Sequence, residues 1–153
     1  MFAFAHVFDR ESFLFLLDLE IKRARRYQNY LSLLSLTLRD LNPSPGENPG
    51  VAIKNLAYLL KDELRDTDFV GEGDVNRLLV MLPYADTVGA HRVKEKLEKT
   101  FQDYGLGAEG LAVEIGEVCF PTHGSNIEEL LRRVGNNLPF LNPQRKNEKE
   151  ASY

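Results

Sequence analysis

An almost unbroken apolar run constrains the fold of this chain more than any other feature. Residues 31–38 are leucines interrupted only by Ser32, Ser35 and Thr37. A strand with this pattern offers no polar face to water, so other elements must cover it on both sides. The run therefore predicts the central strand of a sheet on which helices pack.

Four helices are predicted from apolar residues that recur at three- and four-residue spacing. Asp9, Asn48 and Asp86 stand where they can cap the first three helices at their N-terminal ends. Ser125 with Glu128 has the pattern of a capping box at the start of the last helix.

Three further strands are predicted, at residues 68–72, 75–82 and 111–119. The first two are separated by a glycine-rich stretch suited to a tight turn, so we expect an antiparallel hairpin. The order is helix, strand, helix, hairpin, helix, strand, helix. This order predicts an α/β (α+β) fold with a ferredoxin-like, mixed central sheet flanked by helices.

Length and composition limit the class of protein. A chain of 153 residues is long enough for one sizeable core, so we expect one domain at residues 1–141 and a disordered polar tail at 142–153. The net charge of -4 argues against a nucleic-acid partner. Cys119 is the single cysteine, which excludes an internal disulfide and suits the cytoplasm. No apolar stretch reaches the length of a membrane span.

Five segments of the chain have distinctive sequences, namely EIKRARRY, LSLLSL, LRDTD, LVMLP and VEIG. They resemble segments of GGDEF domains, the domains of diguanylate cyclases, and the first two resemble the opening helix and first strand of that family. They lie at residues 20–27, 31–36, 64–68, 79–83 and 113–116. Their order and spacing match the family from about residue 9 to residue 138. The resemblance implies a GGDEF, nucleotide-cyclase-like fold.

The family's signature motif falls on Asp74, Val75, Asn76, Arg77 and Leu78, and none of its five letters is kept. In the family, two glycines let a hairpin approach guanine and phosphate, which side chains at the first two positions would obstruct. The acidic residues that hold metal or take part in the chemistry are also lost. A register shifted onto residues 71–75 does not restore the motif.

The metal site implied by the resemblance is also changed. The metal-binding aspartate at the end of the first strand corresponds to Thr37, and the next acidic position corresponds to Arg39. Magnesium bound to a triphosphate needs anionic oxygen ligands, which a hydroxyl and a guanidinium do not supply. Family segments at residues 2–9 and in the proline-rich loop after the first strand are altered as well. We therefore expect no metal, no cofactor and no cyclase activity.

Arg65 and Asp68 stand at the spacing of the RxxD site at which many relatives bind cyclic di-GMP. An arginine fork can clamp phosphate or a guanine edge, and an aspartate can accept from guanine N–H groups. The alternative is that Arg65 favours a helix C-terminus and pairs locally with Asp68 or Asp66. Two fixed positions among four residues also arise easily by chance.

These observations lead to the hypothesis of a catalytically inactive, GGDEF-like regulatory domain in bacterial signalling. It is either a cyclic di-GMP receptor through Arg65 and Asp68, or a protein-interaction or dimerisation module that binds no nucleotide. In both cases the expected partner is another protein, including a second copy of the chain in a homodimer. The apolar residues 2–8 are a candidate contact surface for either mechanism.

Overall fold

The computed structural model of the protein describes residues 7–40, 49–107 and 110–136. Its helices and strands follow the order expected from the sequence. They are α1 (Arg10–Tyr27), β1 (Leu31–Asp40), α2 (Pro49–Leu60), β2 (Phe69–Glu72), β3 (Arg77–Pro83), α3 (Thr87–Asp103), β4 (Leu111–Phe120) and α4 (Ile127–Asn136). The expected domain end at residue 141, the tail at 142–153 and the expected cap Asn48 lie outside the described residues.

The four strands form one sheet in the order β2-β3-β1-β4. β1 pairs antiparallel with both β3 and β4, and β2 pairs antiparallel with β3. The expected fold class is confirmed. The sheet was expected to mix parallel and antiparallel pairing, and its parallel pairing is limited to an isolated bridge between Phe8 and Gly71. The expected hairpin is present, and its second strand begins two residues later than expected.

The central strand is covered on both faces, as its apolar pattern predicts. Leu34 and Leu36 point into a core layer shared with α2 and α3. Leu31 and Leu33, of opposite parity along the strand, point into a second layer shared with α1 and α4. Because side chains alternate across a strand, one run of leucines supplies both layers. No helix within the described ranges is both long and apolar enough to cross a membrane.

Two helices are capped by the residues expected from the sequence, and a third is capped by a different residue. Asp9 accepts a hydrogen bond from the Ser12 backbone N–H at 2.8 Å, and Asp86 does the same for α3. The capping box of Ser125 and Glu128 was the wrong prediction for α4, because Asn126 Oδ1 accepts from the Glu129 N–H at 2.9 Å. Glu129, rather than Glu128, returns a bond to the Ser125 N–H at 2.8 Å.

Candidate functional site

Of the signature-equivalent residues, Asp74, Val75 and Asn76 form the turn between β2 and β3, and Arg77 and Leu78 begin β3. The Gly73 N–H donates to the Arg77 carbonyl at 2.9 Å, and the Arg77 N–H donates to the Asp74 carbonyl at 3.0 Å. Asn76 has a φ of 61°, in the left-handed region that asparagine tolerates better than most residues. Its carbonyl accepts from the Leu38 N–H at 2.8 Å, which ties the turn to β1.

The two glycines near this turn make room for side chains of the chain itself. Gly71 lies inside β2 opposite Leu79, where a Cβ would come within 2.4 Å of the Phe13 ring. A Cβ at Gly73 would come within 2.9 Å of Arg77 Cδ. Gly71 therefore belongs to β2 and packs against α1.

Ion pairs join the turn to its surroundings. The Asp74 carboxylate pairs with Arg10 at the start of α1 and lies 4.0 Å from Arg77 Nη1. The Arg77 side chain is only 10% exposed, against 62% for Asp74. A nearly buried guanidinium therefore stands where the family resemblance places a catalytic-site acid.

The position of the expected metal ligand is equally changed. Thr37 lies in the middle of the sheet, opposite Arg77 on one side and Glu114 on the other. It is 5% exposed, and its Oγ1 has no hydrogen-bond partner among the described residues. Arg39 Nη1 donates to Glu114 Oε2 at 2.8 Å. The carboxylate that lies opposite Thr37 across the sheet is therefore already paired with a cation.

This donor set does not fit a magnesium ion. A hard divalent cation prefers several anionic or neutral oxygens, and two guanidinium groups nearby repel it. Across the described ranges, no three His, Cys, Asp or Glu side chains are grouped so that they could hold a metal ion. The charged side chains of the site form ion pairs with one another. Among the described residues they offer no cluster of carboxylates to the metal of a metal-bound triphosphate.

Arg65 and Asp68 lie in the turn between α2 and β2, several residues after α2 ends at Leu60. Asp68 Oδ2 accepts from the Arg65 N–H at 2.8 Å, and the Asp68 N–H donates to the Arg65 carbonyl at 3.0 Å. The Arg65 guanidinium donates to the Pro83 carbonyl at 3.3 Å and lies 3.7 Å from Asp68 Oδ1. The pair is thus brought together mainly by local backbone bonds.

The two side chains differ sharply in exposure. Asp68 is 2% exposed and Arg65 is 63% exposed. Burial raises the pKa of Asp68 above its ordinary value, although the Arg65 backbone N–H and the Arg65 charge oppose this effect. The Asp68 side chain is therefore buried in the turn, whereas Arg65 faces solvent.

The site contains two further residues, Arg10 and Glu114, that sequence reasoning missed. Arg10 pairs with Asp74 and Glu114 pairs with Arg39. Both contacts join residues more than sixty positions apart, so no local motif marks them. The pairing register of β1 with β4 would have identified Glu114, because it places Glu114 directly opposite Thr37.

Comparisons with known proteins agree with this fold. The family model described as diguanylate cyclase, GGDEF domain, matches residues 3–148. A DGC protein from Thermotoga maritima superposes with a TM-score of 0.76 at 17% identity, covering 88% of this chain and 98% of that one. The GGDEF domain of TpbB, also called YfiN, from Pseudomonas aeruginosa gives 0.76 at 20% identity, with 94% and 88% covered.

A third similar structure contains a longer chain. Diguanylate cyclase SiaD from Pseudomonas aeruginosa, in complex with its activator SiaC, superposes with a TM-score of 0.74 at 19% identity. The match covers 92% of this chain and 56% of the SiaD chain. The comparison with curated proteins gave no match. The family model spans nearly the whole chain, and the protein therefore belongs to the diguanylate cyclase GGDEF-domain family.

Proposed function

We propose that this GGDEF domain is catalytically inactive and regulates bacterial signalling by contact with another protein. The observation that carries the proposal is the row Arg77, Thr37 and Glu114 across three neighbouring strands. A cyclase needs carboxylates there to hold the metal on the triphosphate, and this row offers a cation, a neutral hydroxyl and a carboxylate paired with Arg39.

The geometry of the turn supports the same proposal. The turn is closed by its own backbone bonds, and Asp74 is engaged by Arg10 and Arg77. Phosphoryl-transfer chemistry depends on positioned charges rather than on covalent intermediates. A site with a guanidinium and a hydroxyl where carboxylates are needed lacks the electrostatic stabilisation that this chemistry requires.

Contact with a protein is favoured over binding of cyclic di-GMP by the burial of Asp68. An RxxD site needs both side chains on the ligand, and the Asp68 side chain is 2% exposed and bonded to the Arg65 N–H. SiaD, which has the same fold, forms a complex with its activator SiaC, which supports a protein as the partner class.

Binding of cyclic di-GMP stays the second candidate because the Arg65 side chain is 63% exposed. A guanidinium in this position can clamp a phosphate with two parallel hydrogen bonds. Such a site would rely on arginine alone unless Asp68 left its turn.

The test of inactivity is incubation of the protein with GTP and magnesium, followed by chromatography of the nucleotides. We expect GTP to remain and no cyclic dinucleotide to form. A product that depends on the protein would overturn the proposal. An active GGDEF domain assayed alongside shows that the conditions support catalysis.

Calorimetric titration with cyclic di-GMP separates the two regulatory mechanisms. We expect no binding heat at high micromolar ligand. Heat that disappears in Arg65→Ala but persists in Lys61→Ala, a nearby cation outside the RxxD pair, would establish the receptor instead. Capture of a partner by the same domain without nucleotide would support the protein-contact mechanism.

A further inference from the structure

Exposed tyrosines lie at the end of the sheet opposite the signature turn. Tyr84 follows β3, Tyr30 precedes β1 and Tyr27 ends α1. These residues are 61%, 48% and 62% exposed, respectively. The Tyr84 N–H donates to the Tyr30 carbonyl at 2.9 Å, so these two tyrosines lie on adjoining backbone segments. The seven residues of β3 separate Tyr84 from the signature turn by about 20 Å.

Two arginines of α1 lie over two of these rings. The Arg23 guanidinium lies 4.8 Å from the centre of the Tyr84 ring and donates to the Tyr84 hydroxyl at 2.9 Å. The Arg26 guanidinium lies 5.7 Å from the centre of the Tyr27 ring. Arg26 and Tyr27 come three and four residues after Arg23, so they neighbour it on the surface of the helix. We call Arg23, Arg26, Tyr27, Tyr30 and Tyr84 the tyrosine–arginine patch.

Tyr84 is held in place by the chain itself. Glu20 Oε1 accepts from Arg23 Nε at 3.0 Å and from Arg23 Nη2 at 2.7 Å. These bonds fix the guanidinium that in turn holds the Tyr84 hydroxyl. The φ of Tyr84 is 68°, in the left-handed region that bulky residues rarely adopt. Backbone strain of this kind clusters at ligand clamps and switch regions, and a ring that is already fixed loses little freedom on binding.

The patch is basic, although the chain as a whole is acidic. Residues 20–30 contain four cations and one carboxylate, whereas the whole chain has a net charge of -4. Arg26 is exposed, and so is Lys22 one turn before it. Lys22 Nζ lies 2.9 Å from Asp18 Oδ2 in an exposed ion pair, which a carboxylate from another molecule can replace at little cost. The positive charge beside the tyrosine rings is therefore accessible to an acidic partner.

We propose that the tyrosine–arginine patch binds an acidic segment of a partner protein. The carboxylates of the partner pair with Arg26 and Lys22, and its apolar side chains pack on the tyrosine rings. Tyrosine and arginine are among the side chains that carry most of the binding energy at protein interfaces, and complementary charge selects the partner. The inference rests on the proposed function, because it assigns a surface and a charge to the protein contact proposed there.

An anionic bilayer is the alternative occupant, since tyrosines and cations also suit a lipid interface. A bilayer is an extended surface, and charges interact over about 10 Å at moderate salt. It would therefore also meet the carboxylates around the patch in a domain of net charge -4. A short peptide meets the patch alone. The distribution of charge therefore favours the acidic peptide segment.

The first experiment selects binders of the full chain from a library of random dodecapeptides displayed on phage. We expect the enriched peptides to be rich in aspartate and glutamate. A synthetic peptide of the most enriched sequence is then labelled with fluorescein and titrated by fluorescence anisotropy. Its dissociation constant should rise about tenfold or more in Tyr84→Ala and in Arg26→Glu. Arg26→Glu should also bind a peptide with lysines in place of the acidic residues more tightly than the wild-type protein does.

Matched controls lie at the C-terminal end of α3. Tyr104→Ala removes a tyrosine that is also 61% exposed, and Lys99→Glu reverses a cation whose side chain is 76% exposed. Neither change should alter the affinity for the selected peptide. Tyr84→Asn replaces Tyr84→Ala if circular dichroism shows the latter to be unfolded, because asparagine tolerates a positive φ.

The proposal is overturned if no peptide is enriched, if the enriched peptides carry no excess of carboxylates, or if Tyr84→Ala binds as tightly as the wild type. It is also overturned if the protein sediments with phosphatidylglycerol vesicles through the patch while no acidic peptide is enriched. Peptides that bind all variants equally leave the proposed protein contact in place and remove only this surface. A cyclic dinucleotide formed from GTP would overturn the proposed inactivity, and neither experiment depends on that assay.

Discussion

At the scale of single residues, the candidate site combines a nearly buried charge with a left-handed backbone conformation. Arg77 is nearly buried beside Thr37, so a cation is fixed next to this hydroxyl. Asn76 holds the turn in a left-handed conformation, a role that few other side chains tolerate.

Asn76 gives a direct test of this conformational role. Asn76→Ala should lower the free energy of unfolding by about 1 kcal/mol, because alanine is less tolerant of positive φ. Asn76→Gly should not lower it, since glycine adopts this conformation freely. Urea denaturation measures both effects. The control is Val75→Ala at the neighbouring position, which is 84% exposed, and an equal loss there would contradict the explanation.

Asp68 predicts a specific dependence of stability on pH. Its pKa is raised in the folded state by burial, so the folded protein binds this proton more tightly than the unfolded chain does. The resulting stabilisation is present below the ordinary pKa of the group and is lost as the pH rises through the raised value. Asp68→Asn removes this titration.

Urea denaturation between acidic and neutral pH should therefore show wild-type stability falling relative to Asp68→Asn as the pH rises. Taking the difference cancels the other carboxylates. Asp66→Asn, at a neighbouring exposed aspartate, provides the comparison. A difference that runs in the opposite direction would mean that the charged form of Asp68 is stabilised by Arg65 after all.

At the scale of elements, the sequence predicts most helices and strands because their signals are local. Asp9 and Asp86 cap their helices as expected, since the bond of a cap reaches only three residues ahead. The cap of α4 was misplaced because Ser125, Asn126, Glu128 and Glu129 offer two overlapping pairs of suitable residues. Which pair is used depends on where the helix begins, and that depends on packing.

The cap of α4 is therefore open to test. Asn126→Ala should cost about 1 kcal/mol of stability, because it leaves the Glu129 N–H without its acceptor. Glu128→Ala should change stability by less than about 0.5 kcal/mol, as an exposed substitution without a special role. Thermal unfolding of both variants decides between the two caps. A larger loss for Glu128→Ala would restore the capping box inferred from the sequence.

At the scale of the whole molecule, the fold follows from one strand that is apolar on both faces. Leu33 and Leu34 are neighbours in sequence, yet they enter different core layers. The sequence predicts this division, because alternation along a strand is fixed by geometry. It does not predict the contacts of Arg10 with Asp74 or of Arg39 with Glu114. Those depend on register between distant strands and helices.

The two layers should contribute independently to stability. Leu33→Ala and Leu34→Ala should each cost about 2–5 kcal/mol, because each empties space in a closed core. Since the layers lie on opposite sides of the sheet, the two costs should add in a variant of sufficient residual stability. Phe15→Ala, on the exposed face of α1, is the comparison and should cost far less. Chemical denaturation gives all three values.

The row of Arg77, Thr37 and Glu114 across the sheet also determines the charge that a single substitution there would leave. Arg77→Glu as the first change would leave one carboxylate on each side of Thr37, at positions 77 and 114, and a third on Asp74. Only Arg10 and Arg39 would balance these three charges. Thr37→Asp as the first change would be balanced by Arg77, yet the guanidinium would still exclude the metal. Neither substitution alone gives carboxylates in this row that are both balanced in charge and free of a neighbouring guanidinium.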